Sequence, residues 1–232
     1  MTVADRKQRE KEQRKNEIVN AAEKLFYAKG FDRVTMDEIA DTVELSKGSL
    51  YVCFKNKDSL FFAIVDKQRR HFVDLLEEHL KTLTSGREKL RAIIREYVDF
   101  AKADPEFSDM ASTYAPLLWS RMDSEDKAVL AKNLSRYHDL LNNAIHEGME
   151  DGTIRDDLDP MLLSYYITLI CMSVVYPLPP WKKTFAHAGI SLDQFLDNFS
   201  RFIDPSIDGC PQKNTEKAGN RTKPRKPGKG RQ

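Results

Sequence analysis

Between Thr35 and Phe54 the chain carries two apolar-periodic stretches of about eight residues each, separated only by Val43-Glu-Leu-Ser46. A helix that short does not hold together in water, because nucleation costs more than two turns of hydrogen bonds recover. Two of them in succession persist only when locked at a steep angle and braced by a third helix, which makes a helix-turn-helix. The brace precedes them: residues 14–29 place Ile18, Ala22, Leu25 and Phe26 on one helical face, and Gly30 ends it. Thr35-Met-Asp-Glu38 has the spacing of a capping box, in which hydroxyl and carboxylate each satisfy an orphan backbone N–H. Ile39, Ala40 and Val43 then point inward. Ser46 caps the next helix, whose inward residues are Leu50 and Phe54, and a fourth helix begins around Asn56.

Helical spacing continues through the rest of the chain, with no convincing strand, so the expected fold is all-α: a three-helix DNA-binding unit followed by a helical body. Leu60 to Leu83 carries Ile64, Phe72, Leu75, Leu76 and Leu80. Leu90, Ile93, Ile94, Tyr97, Val98 and Ala101 form a second stripe. Pro105 opens a further segment, Ser124 caps one ending near Met149, and Asp159-Pro160 is an N-cap followed by proline at the first helical position. Ser191-Leu-Asp-Gln194 reads as another capping box, and Asp204-Pro205 as the stop of its helix. The expected division is a charged arm (1–13), a helix-turn-helix unit (14–60), a body (61–205) and a basic, disordered tail (206–232).

The formal net charge of +1 over 232 residues hides an uneven distribution. Residues 212–232 hold eight Lys/Arg against one Glu, residues 1–60 are near balance, and the middle is acidic. Contact with a polyanion therefore falls to the first sixty residues or to the tail, as a salt-sensitive grip. Three dispersed cysteines, Cys53, Cys171 and Cys210, make neither a disulfide framework nor a zinc site and suit a reducing cytoplasm. The N-terminus has no apolar core and does not read as a signal peptide. Met161–Trp181 has no charge, but Pro177, Pro179 and Pro180 stop its helix near Tyr176, short of the ~30 Å needed to cross a bilayer, so no membrane partner is expected. The five histidines have no metal-ligand spacing, and there is no P-loop, nucleophile elbow or dinucleotide fingerprint. An enzyme reading has no positive support, and no cofactor or metal is expected.

The second short helix begins Lys47-Gly48-Ser49, a cation, a position without a side chain and a short hydroxyl, all suited to a DNA groove. Tyr51, Lys55, Asn56 and Lys57 follow, where a hydroxyl and positive charge meet a helix N-terminus that favours phosphate. The run from Gly30 to Leu60, with Thr35, Ile39-Ala40, Ser46-Lys47-Gly48, Leu50-Tyr51, Phe54 and Lys57, closely resembles the DNA-binding domain of the tetracycline-repressor (TetR) family over about residues 14–62. The resemblance implies that Thr35, Tyr51 and Lys57 hold phosphates and that residues 46–51 read the major groove. It also implies a homodimer on double-stranded operator DNA with a ligand pocket in the C-terminal domain. Two positions depart from the family pattern: Glu44 stands where glycine is frequent in the turn, and Cys53 where histidine or tyrosine often meets phosphate.

The expected function is a transcriptional regulator, a repressor released from a palindromic operator by a small, hydrophobic or aromatic effector. An activator of the same fold, or a DNA-organising protein without an effector, shares the same sequence features. Candidate pocket residues are Phe72, Tyr97, Phe100, Met110, Tyr114, Trp119, Tyr137 and Tyr166. Candidate dimer-interface residues are Leu192, Phe195, Leu196, Phe199 and Phe202, beside the uncharged 161–176 helix.

Overall fold

A computed structural model describes residues 2–208. In chain order the described helices are α1 (Val3–Lys29), α2 (Met36–Thr42), α3 (Lys47–Cys53), α4 (Lys57–Leu80), α5 (Gly86–Ala103), α6 (Pro105–Leu118), α7 (Ser124–Glu150), α8 (Pro160–Val175), α9 (Pro179–His187) and α10 (Leu192–Ile207). A single turn of 3-10 helix, Trp119–Arg121, joins α6 to the loop before α7. No strand occurs among the described residues; Ile154 and Asp208 form an isolated antiparallel bridge. No single described helix is long and apolar enough to cross a membrane.

Two packed cores divide the helices, and α4 belongs to both. Its first turns bury Leu60, Phe61, Phe62, Ile64 and Val65 against Ile18, Ala22 and Phe26 of α1 and Ile39, Ala40 and Leu50 of α2 and α3. Phe107, Met110 and Leu118 of α6 join that same core. Further along, Phe72, Val73, Leu76 and Leu80 enter a second core with α5, α7, α8 and α10. Each such side chain contributes roughly 1.5–3 kcal/mol on burial, so α4 is held firmly at both ends. At the far end α5 starts directly on the backbone of α7. A Cβ on Gly86 would lie 2.0 Å from the Gly148 nitrogen and 2.5 Å from the Ala144 oxygen, so only glycine fits there.

The local signals differ from the sequence expectation at five places. The arm at 3–13 is helical and continuous with α1: Thr2 and Asp5 form a capping box, and Arg6–Glu10, Gln8–Glu12 and Gln13–Glu17 pair one turn apart. At Thr35 only half of the expected box forms, because the Glu38 carboxylate turns to Lys29. Ser191 likewise caps α10 without a reciprocal bond from Gln194. The prolines after Tyr176 end α8 but open α9, in which Pro179 takes a first-turn position that needs no N–H. Finally, α10 continues past Pro205, because buried Ile207 anchors its last turn, and Arg91 and Arg87 hold Asp204 and Asp208. The proposed tail therefore loses 206–208 to ordered structure; beyond Asp208 it lies outside the described residues.

Candidate nucleic-acid interface and effector cavity

The α2–α3 pair is built by short-range bonds. The Thr35 hydroxyl accepts from Glu38 N–H at 3.2 Å, and the Ser46 hydroxyl accepts from Ser49 N–H at 3.2 Å. In the turn between them Glu44 has φ 54°, the left-handed conformation that glycine adopts without penalty. Glu44 therefore carries a strain that glycine would avoid. Leu50 of α3 and Phe54, which caps its end, are buried while Tyr51 and Val52 face out. Nothing lies closer than 4.0 Å to where a Gly48 Cβ would sit, so this side of α3 is open.

Lys47, Gly48, Ser49 and Tyr51 thus share one exposed end of α3. The Lys47 ammonium lies 2.5 Å from Asp37, and that hydrogen bond raises its pKa. Both partners are exposed, so the pair contributes little and exchanges readily for another anion.

The next three candidates are placed differently. Lys55 reaches Asp123 at 2.8 Å and Glu125 at 3.4 Å, at the start of α7. The Asn56 side chain caps α4 by accepting from Ser59 N–H at 2.8 Å. Lys57 turns inward: its ammonium donates to the carbonyls of Phe31 (2.7 Å), Asp32 (3.2 Å) and Val34 (3.0 Å) and lies 4.4 Å from the centroid of the Phe31 ring. In this structure those bonds fix the loop between α1 and α2, and a phosphate contact at Lys57 would have to replace them.

A cavity of about 580 Å³ opens between α4, α5, α6, α7, α8 and α9. One stripe of α4 (Phe62, Val65, Arg69 and Phe72) forms a wall, with Tyr97 and Phe100 of α5 beside it. From α6 come Phe107, Ala111, Ser112 and Ala115; from the later helices come Leu169, Met172 and Trp181, with Tyr176 between α8 and α9. Burial pushes the Tyr176 hydroxyl up to about 12 and the Tyr97 hydroxyl well above its ordinary range, so both stay neutral donors.

Four expected pocket residues, Phe72, Tyr97, Phe100 and Trp119, line this cavity. The other four do not. Met110 is buried in the core shared with α1, α2 and α3. Tyr114 stacks on Phe31 at 4.8 Å and donates its hydroxyl to Asp32 at 2.8 Å. Tyr137 packs behind Tyr97, at 6.0 Å between ring centroids, within the second core. Tyr166 is exposed on α8. Residues that sequence reasoning missed include Arg69, Ser112, Tyr176 and Trp181. Arg69 alone carried a signal, a cation at a core position of an apolar stripe.

The residues expected at a dimer face divide between the subunit's own core and its surface. Leu196 and Phe199 are buried in the subunit's own core, and Leu192 and Phe195 are half-buried against it. Exposed apolar side chains lie on α8, at Met161, Leu162, Tyr165, Tyr166 and Leu169, together with Phe202, which is 73% exposed on α10.

Residues 18–64 match the bacterial regulatory proteins of the tetR family, and residues 83–176 match the tetracyclin repressor-like C-terminal domain. The fatty acid metabolism regulator protein of Bacillus subtilis (strain 168) is 24% identical over 146 residues, covering 63% of this chain and 73% of that protein. The HTH-type transcriptional activator FasR of Mycolicibacterium smegmatis is 31% identical over 96 residues, covering 41% of this chain and less than half, 44%, of that protein. Among solved structures, the transcriptional regulator FadR from Bacillus subtilis in complex with stearoyl-CoA superimposes with a TM-score of 0.61 at 21% identity, over 82% of this chain and 95% of that one. With a helix-turn-helix at one end and a matching helical C-terminal domain behind it, the chain belongs to the TetR family of DNA-binding transcriptional regulators.

Proposed function

We propose that the protein acts as a homodimeric repressor that leaves a pseudo-palindromic operator when a small apolar effector fills the cavity. One observation carries this reading: the cavity wall and the DNA-reading unit are built on the same two helices. The start of α4 packs under α3 while its middle lines the cavity, and α6 does the same with Met110 and Leu118 on one side and Ala111 and Ser112 on the other. Polar ties reinforce the connection, with Ser59 donating to Asp126 at 3.0 Å and Tyr114 to Asp32 at 2.8 Å. A ligand preferring a displaced α4 or α6 would move α3, and the coupling equals its differential affinity for the two positions. The free face of α8 and Phe202 is the candidate dimer contact. In such a dimer the two α3 helices would stand about 34–36 Å apart, one turn of DNA.

On this reading Lys47, Gly48, Ser49 and Tyr51 meet the DNA. Thr35 and Ser46 cap the helices that carry them, and their exposed hydroxyls remain beside the backbone phosphates. The similarity to FadR, whose solved structure holds stearoyl-CoA, supports an apolar effector. The similarity to the activator FasR favours, as a second reading, the same binding event with the opposite transcriptional sign.

Selection from a random pool of DNA duplexes tests the reading, with wild type and Lys47→Ala/Tyr51→Ala compared at two salt concentrations. An enriched palindrome that the variant fails to recover is the expected result. Enrichment absent from both proteins overturns it. The purified operator then reports effectors as ligands that raise the operator Kd.

A further inference from the structure

We infer that the cavity is built for an anionic amphiphile, an apolar body with one carboxylate or phosphate group held by the Arg69 guanidinium. This rests on reading the cavity as the effector site. Arg69 is the only charged residue among the described residues that line it. It is half-buried and has no hydrogen-bond or ion-pair partner among the described residues. Carboxylates on α1, α4 and α6 are engaged elsewhere: Asp66 with Asn133 and Arg70, Glu23 with Lys67 and Gln68, Asp109 with Lys182. Spacing explains why the guanidinium faces the cavity. Phe62, Val65, Arg69 and Phe72 follow one another at three- and four-residue intervals on α4, and its three companions are buried apolar side chains.

A half-buried guanidinium with no counter-charge beside it is free to take an anion, and its planar fork suits two-point binding of a carboxylate or phosphate. The rest of the wall fixes the remainder of the ligand. Phenylalanines from α4, α5 and α6 give an apolar body a place to lie, and Tyr97, Ser112, Ser173 and Tyr176 are the uncharged polar residues beside them. A volume of about 580 Å³ lies within the range of small-molecule pockets and accommodates a long-chain acid.

The chain has two tryptophans, and both Trp119 and Trp181 line the cavity, so tryptophan emission reports occupancy. Wild type, Arg69→Met and Arg69→Lys are titrated with palmitate, with hexadecanol, which has the same chain without the charge, and with palmitoyl-CoA. Wild type is expected to prefer palmitate to hexadecanol. Arg69→Met should weaken palmitate by about 10- to 100-fold, the range set by losing a charge-assisted hydrogen bond, and leave hexadecanol little changed. Arg69→Lys should restore part of the loss. A palmitoyl-CoA affinity that falls in parallel would place its head group on Arg69; one that does not would identify the free carboxylate as the ligand.

The inference is overturned if wild type does not bind palmitate, if it binds both chains equally, or if Arg69→Met retains the preference. The wild-type comparison and Arg69→Lys keep the test decisive even where Arg69→Met fails to fold. Operator binding separates the two readings. Arg69-dependent palmitate binding that leaves operator affinity unchanged breaks the effector reading alone. Release by hexadecanol at an Arg69-independent concentration breaks the anion site alone.

Discussion

Replacing Lys57 with methionine separates a structural role from a DNA contact at that position. The ammonium donates to three carbonyls in the α1–α2 loop, at 2.7, 3.0 and 3.2 Å, and stacks on Phe31. A hydrogen bond to a charged group contributes about 1.5–3 kcal/mol. Three made by one ammonium do not add, and the Asp32 carbonyl is solvent-accessible, so we expect a total loss of about 2–3 kcal/mol. Methionine preserves the packing of the stem, so the loss reports the ammonium. For a chain of this size that corresponds to a fall of roughly 4–12 °C in Tm. Thermal unfolding followed by circular dichroism reads it directly, and operator binding across a salt series supplies the second axis. If Lys57 were a phosphate contact, stability would hold and the slope of log K against log salt would shrink by about 1. An unchanged Tm with that reduced slope would refute the structural assignment.

Two further outcomes follow from the same geometry. Glu44→Gly should raise stability by about 0.5–1 kcal/mol, since relief of a left-handed φ outweighs the added freedom of glycine in the unfolded chain; a lower Tm would contradict the strain at φ 54°. Alkaline pH should destabilise the fold, because burial raises the hydroxyls of Tyr97, Tyr137 and Tyr176, and lifts the Cys171 thiol from 9.0 to about 12. The unfolded chain loses these protons first, so the native state binds more protons and stability falls as pH rises from about 9 towards 12. A urea midpoint that stays constant between about pH 8 and pH 11 would refute this burial.

Most of the DNA-reading unit was legible in the sequence because its signals are local. Thr35 and Ser46 bond to an N–H three residues on, and Leu50 and Phe54 share a helical face, so spacing alone placed them. The departure at Glu44 was equally visible, and the structure supplies its meaning as a left-handed residue. The cavity was only half legible. Aromatic residues at helical spacing fill cores and pockets alike, so Phe72 and Tyr97 could not be told from Tyr137 without the packing.

What the sequence by itself determined is the all-α class, the order of most helices and the residues that cap them, because each depends on neighbours within one or two turns. What only the tertiary structure decided is where the long side chains go. Lys57 bonds to carbonyls more than twenty residues earlier, Lys55 to an acid almost seventy residues later, and Arg69 has no partner among the described residues in a wall to which six helices contribute. A flexible cation reaches whichever acceptor the folded chain brings near, and chain spacing carries no record of contacts made at that distance.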